Sequence, residues 1–82
     1  LSMSAYGASG AWSNVPGFSP TLHATVGYDG AMGDAIGQPM GWGFSYSDMS
    51  AGCAAAAAIV RALEQRTRSG RGVFIDFAQF DH

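Results

Sequence analysis

Lysine is missing from this sequence, and charge of either sign is scarce: charged residues fill 12% of its 82 positions, about half the usual quarter. Four arginines against six acidic residues leave a formal net charge of −2. The arginines form no continuous basic stripe, which argues against a nucleic-acid partner. Cysteine is nearly absent as well. With Cys53 alone no internal disulfide can form, and no cysteine–histidine cluster is available for a structural zinc, so no metal is expected. A single cysteine is compatible with the cytosol, and a cytoplasmic protein is expected. No apolar run reaches the roughly 20 residues that cross a bilayer, so no membrane association is expected. No signal peptide is visible.

These absences bear on stability. A domain of this length buries only about 60–65% of its unfolded surface, and no staple compensates. A free-standing small domain carries more surface charge than this. Much of the segment is therefore expected to be covered by other protein: the rest of a longer chain, a second subunit, or both. The chain opens on Leu1 with no initiator methionine, as a piece of a longer protein would. Residues 1–82 are expected to form one part of a larger domain.

Glycine and alanine fill the space that charge leaves. Leu1 to Tyr6 reads as the end of a strand, broken by Gly7-Ala8-Ser9-Gly10. Asn14-Val15-Pro16-Gly17 is a turn signal, because proline fixes one dihedral and glycine permits the reversed one. Phe18 to Val26 predicts a helix with Ser19 as N-cap and Pro20 as first helical residue. Phe18, Leu22 and Val26 then share a face. Gly30 to Gly43, with five glycines, reads as a loop holding one helical turn near Met32.

The strongest element starts near Asp48 and runs to Ser69. Met49, Cys53, Ala56, Val60 and Leu63 step by four, three, four and three, the spacing of a buried helix face. The alanines from Ala54 to Ala58 allow another element to come close. Arg61, Glu64, Gln65 and Arg68 fall on the wet side, with Glu64 and Arg68 paired at i,i+4, and Gly70 closes the helix. Val73 to Phe77 is nearly all apolar and reads as a strand covered on both faces, as in parallel sheets. Strand, helix, helix, strand gives an α/β fold built on a parallel sheet, with a long alanine-rich helix.

Asp48 is the candidate nucleophile. It follows a glycine-rich loop and precedes a long helix, and the free N–H groups and partial positive charge of a helix N-terminus favour an ionised carboxylate. Such a group can attack an activated acyl carbon. On position alone an ordinary N-cap is the other reading. His23 could act as acid or base but reads better as structural or surface. Cys53 reads as a small apolar filler, since no base is evident beside it. Asp34 is a loop carboxylate without an evident partner. Asp76 lies within the second strand, paired with Arg71 or held by a backbone N–H. Gly70-Arg71-Gly72 reads as a tight loop with a solvated arginine, and the other glycine clusters match no nucleotide-binding pattern.

The ordered set Tyr46-Ser47-Asp48-Met49-Ser50-Ala51-Gly52, an alanine-rich helix, Leu63-Glu64-Gln65-Arg66, Ser69-Gly70-Arg71-Gly72 and Ile75-Asp76-Phe77 resembles the family III CoA-transferases, also called the CaiB/BaiF family. Ser4-Ala5-Tyr6-Gly7 and Pro16-Gly17-Phe18 fit the segment upstream of that family's catalytic loop. The resemblance implies an internal part of a large, Rossmann-like domain in an enzyme that moves CoA between an acyl-CoA and a carboxylic acid. Coenzyme A would be a substrate. Asp48 would form a mixed anhydride and then an aspartyl-CoA thioester, and the protein would be an interlaced homodimer. The CoA-contacting residues are expected outside these 82 positions, leaving the isolated segment inactive. An acyl-CoA racemase of the same family is the alternative. Its histidine after the Pro-Gly turn is replaced here by Phe18, and His23 lies a turn too far along to substitute. A third reading is a non-catalytic packing or assembly segment, which the low charge and alanine-rich helix would also suit.

Overall fold

Two short strands at opposite ends of the chain lie side by side and in parallel. In the computed structural model, which describes residues 1–82, β1 (Ser2–Ser4) pairs with β2 (Asp76–Ala78) in the register Ser2 with Asp76, Met3 with Phe77 and Ser4 with Ala78. A further bond from the Ser2 N–H to the Ile75 carbonyl, at 2.8 Å, extends the ladder. Parallel neighbours require a crossover. It consists of α1 (Ser19–Thr25), α2 (Tyr28–Ala31) and α3 (Tyr46–Ser69), and a 3-10 turn at Gln79–Asp81 follows β2. The fold is thus mixed helix and strand around a small parallel sheet. The parallel pairing and the long alanine-rich helix agree with the sequence expectation, and α2, with Met32 as its C-cap, is the single helical turn expected there.

Strand Val73–Phe77 is a correction. Only Asp76 and Phe77 of that run are in β2, and Phe74 is 75% exposed, so the expected cover on both faces is absent from this chain. The apolar character of the run is real, but 82 residues supply only one neighbouring strand.

The same shortage reverses the expected packing of α3. Its buried positions are Ser47, Ala51 and Ala55, all small. At roughly 100° per residue this row lies on the side opposite Met49, Cys53, Ala56, Val60 and Leu63. Val60 is 67% exposed, and Met49, Cys53 and Leu63 are exposed as well. The periodic stripe that predicted a buried face is therefore an uncovered one. At the head of the buried row, Ser47 is tied to α1 through the Ser19 hydroxyl and the His23 ring. Glu64 and Arg68 form their i,i+4 ion pair on the wet side. Gly70 caps the helix with a left-handed φ of 69° and donates its N–H to the Arg66 carbonyl.

Helix α1 begins one residue earlier than expected. Phe18 holds the N-cap position and Ser19 is the first helical residue, with its hydroxyl free for other partners. Only Leu22 of the expected apolar face is buried, at 2% exposure, while Phe18 and Val26 face outward. The inward side of α1 is Ser19, Leu22 and His23. Gly17 is a correction: it does not take the reversed dihedral that the turn signal suggested, and what it supplies is space. A Cβ placed there would lie 2.1 Å from the Ala5 Cβ, so the turn entering α1 sits directly on the segment leaving β1.

Candidate active site

At the start of α3 the backbone N–H groups have no intrahelical partners. One of them, at Ser47, donates to Nε2 of His23 at 3.1 Å. The Ser47 hydroxyl meets the Ser19 hydroxyl at 2.6 Å, and Ser19 Oγ lies 3.3 Å from the same ring nitrogen. Ser19, His23 and Ser47 are all buried. His23 is therefore a structural histidine that ties α1 to the first turn of α3, and it is inside rather than on the surface. Its Nε2 is committed to that bond, while the ring also forms part of the wall of the adjoining cleft.

Ser45 is the N-cap of α3, without a side-chain capping bond, and Asp48 is the third helical residue. The simple N-cap reading of Asp48 does not hold. Its side chain is exposed, and Oδ1 accepts a hydrogen bond from Nε2 of Gln79 at 3.2 Å. Gln79 belongs to the 3-10 turn after β2, which is fixed from two sides. The Phe80 N–H donates to the Ala5 carbonyl at 2.9 Å. His82 Nδ1 contacts the Gln79 carbonyl at 2.6 Å, and its Nε2 lies 2.7 Å from the Ser50 hydroxyl on α3.

Between these elements is a cleft of about 290 Å³, walled by Leu22, Val26, Tyr28, Tyr46 and Phe80 on the apolar side and by His23, Ser47, Ser50, Gln79 and His82 on the polar side. Asp48 is not among the residues that line it and is joined to its wall through the Gln79 bond. An aromatic group braces the opposite flank. Trp42 stacks on Tyr46 with ring centroids 4.5 Å apart, and Tyr28 lies 5.7 Å from Trp42. Such pairs contribute about 0.5–1.5 kcal/mol beyond area burial, and they hold the glycine-rich loop against the helix start.

The remaining candidates lie elsewhere. Asp34, expected without a partner, closes its own turn by accepting the N–H groups of Ile36 at 2.9 Å and Gln38 at 2.8 Å. Asp76 accepts the Ala8 N–H with both oxygens, at 3.1 and 3.0 Å, so the backbone and not Arg71 is its partner. Cys53 is an exposed free thiol on the uncovered stripe of α3. No group of three potential metal-ligating side chains comes together, and no helix is long and apolar enough to cross a membrane.

Gln79, Ser50 and His82 are the residues that sequence reasoning missed. The signal that could have found them is topological. In parallel α/β sheets the carboxyl ends of strands and the helix N-termini meet at one edge, where ligands bind. Residues just after β2 had to arrive beside the start of α3.

Comparison with known proteins agrees with this architecture. The family model for CoA-transferase family III matches residues 1–82. The chain is 31% identical over 80 residues to a succinate–glutarate CoA-transferase of Agrobacterium fabrum, covering 98% of this chain and 20% of that protein. It is 35% identical over 75 residues to a succinyl-CoA:glutarate CoA-transferase of Mus musculus, covering 92% of this chain and 17% of that protein. Among solved structures, a CaiB/BaiF family protein from Brucella suis superposes with a TM-score of 0.89 at 28% identity, over 96% of this chain and 21% of that one. A hypothetical protein from Mycobacterium tuberculosis gives 0.85 at 29% identity, over 96% and 22%. The chain thus spans about a fifth of the length of these relatives. With a family match along its whole length and a shared fold, the chain belongs to CoA-transferase family III.

Proposed function

We propose that these 82 residues supply the nucleophile-bearing part of a CoA-transferase that moves CoA from an acyl-CoA to a carboxylic acid, with Asp48 as the nucleophile. The observation that carries this reading is the placing of Asp48. It is exposed in the first turn of a long helix, with one oxygen held and the other without a hydrogen-bond partner, in a chain matched along its length by the family model.

Asp48 Oδ2 attacks the thioester carbonyl of the donor. A C–O bond forms, the C–S bond breaks and CoA leaves as the thiolate. The thiolate then attacks the Asp48 carbonyl carbon of the mixed anhydride, releasing the donor acid and leaving an aspartyl-CoA thioester. An acceptor carboxylate attacks that thioester and expels the thiolate. The thiolate attacks the acceptor's acyl carbon, which yields the new acyl-CoA and returns the Asp48 carboxylate. No redox partner is needed. The names of the two relatives make succinate and glutarate the first acids to assay.

The chain would occupy part of the Rossmann-like large domain of a longer protein, which accords with its share of the relatives' length. The outward stripe of α3 would be covered by the rest of that protein and by the second subunit of a homodimer. A racemase is disfavoured by Phe18, which is 68% exposed and carries no base, and by the engaged ring of His23.

The test is to incubate the full-length enzyme with acyl-CoA, trap it with hydroxylamine or borohydride, and locate the modification by mass spectrometry. A label on Asp48 is expected. A label on any other side chain overturns the assignment.

A further inference from the structure

We propose that Gln79 is the donor that orients Asp48 for attack and then stabilises the oxyanion formed on it, a role that rests on Asp48 being the nucleophile. The two oxygens of a free carboxylate are equivalent, and rotation about Cβ–Cγ presents either to a ligand. The amide of Gln79 breaks that equivalence by donating to Oδ1 at 3.2 Å, and Oδ2 is left to form the bond to the acyl carbon.

The donor is positioned by the fold. Its 3-10 turn is tied to the segment after β1 by the Phe80 N–H to Ala5 carbonyl bond at 2.9 Å. It is tied to α3 two residues beyond Asp48 through His82, which contacts the Gln79 carbonyl at 2.6 Å and the Ser50 hydroxyl at 2.7 Å. Asp48 and Ser50 are on one helix, so the anchor and the target move together. A neutral amide suits the task, since it donates without adding charge beside the carboxylate.

The same bond acts again in the thioester steps. When the CoA thiolate attacks the Asp48 carbonyl carbon, the C–S bond forms and negative charge gathers on Oδ1. Collapse expels the donor carboxylate, which departs with Oδ2. When the acceptor carboxylate attacks the aspartyl thioester, charge gathers on Oδ1 once more and the thiolate leaves. In both tetrahedral states Oδ1 is the oxyanion, and the Gln79 N–H already points at it. A preformed donor of this kind acts most strongly where charge develops.

The experiment uses the full-length enzyme with Gln79→Met, which keeps side-chain length and removes the donor, and Gln79→Glu, which sets a second carboxylate against the first. Loss of one oxyanion donor lowers kcat by about 100-fold, with KM for both substrates changed by no more than about threefold. The Glu variant should be slower than the Met variant. Single-turnover trapping should show the aspartyl-CoA thioester forming and decaying more slowly in both, an effect that a merely structural role would not produce in variants of normal thermal midpoint. Either variant with kcat and thioester formation within about twofold of wild type overturns the role of Gln79. Should the Met variant fail to fold, the Glu variant decides. Asp48→Asn separates the two proposals. An inert Asn variant beside an unimpaired Gln79→Met removes Gln79 alone, whereas an active Asn variant removes the nucleophile itself.

Discussion

His23 Nε2 accepts the backbone N–H of Ser47 at 3.1 Å, with both residues buried, so the start of α3 is capped by a side chain from α1 in place of its own N-cap residue. Replacing His23 by leucine keeps bulk but leaves that N–H without a partner, and the Ser19–Ser47 pair loses its neighbour. We expect His23→Leu to destabilise the protein by about 1–3 kcal/mol, the cost of a buried donor left unsatisfied. Denaturant unfolding of the full-length protein checks this. A change well under 1 kcal/mol would mean that water replaces the ring at little cost.

Gly17 and Ala5 make a second testable contact. A Cβ at position 17 would stand 2.1 Å from the Ala5 Cβ, while the next backbone atom, the Ala5 Cα, is 3.5 Å away. Gly17→Ala should therefore cost about 1–3 kcal/mol through overpacking. Ala5→Gly in the same chain removes the clashing methyl and should restore part of that loss, giving a non-additive double variant. Additive losses in the thermal or denaturant midpoint would show that the clash is not the cause.

The isolated 82 residues should self-associate and should lack transferase activity. Leu22, Ala51 and Ala55 are the only buried apolar side chains, whereas Met49, Val60, Leu63, Val73 and Phe74 are exposed. Exposed apolar stripes of this kind mark surface that other protein covers. Light scattering is expected to show aggregates or oligomers, and a coupled assay to show no CoA exchange. A stable monomer at high concentration, or measurable exchange by the segment alone, would contradict the expectation.

What could be read from the sequence was local. Gly70 as the terminator of α3 and the Glu64–Arg68 pair depend on residues within one or two turns, and both are present. The long helix itself was readable because nothing between Met49 and Ser69 interrupts it beyond Gly52. Which side of that helix is inward was not readable. Periodicity shows that Met49, Cys53, Val60 and Leu63 share a face but not whether this chain carries the partner for it. The true role of Ser19 is equally non-local: its hydroxyl pairs with Ser47, 28 residues away, and does not cap α1. Gln79 was invisible for the same reason: its bond to Asp48 spans 31 residues and exists only because β1 and β2 pair in parallel.

In the full-length enzyme Asp48 is the group whose loss should stop the chemistry while the fold persists. Asp48→Ala should abolish transfer while leaving CoA binding largely intact, because it deletes a covalent step and spares remote contacts. Asp48→Asn is the sharper variant. It keeps the shape and an oxygen that can accept from Gln79 Nε2, so the helix start and the 3-10 turn remain joined. Since an exposed carboxylate near a helix N-terminus contributes about 0.3–1 kcal/mol, stability should fall by no more than about 1 kcal/mol. Activity should still vanish, because an amide does not form the anhydride. Thermal unfolding and a CoA-exchange assay on the same preparation test both halves. A folded, fully active Asn variant would return Asp48 to an ordinary first-turn acid of α3.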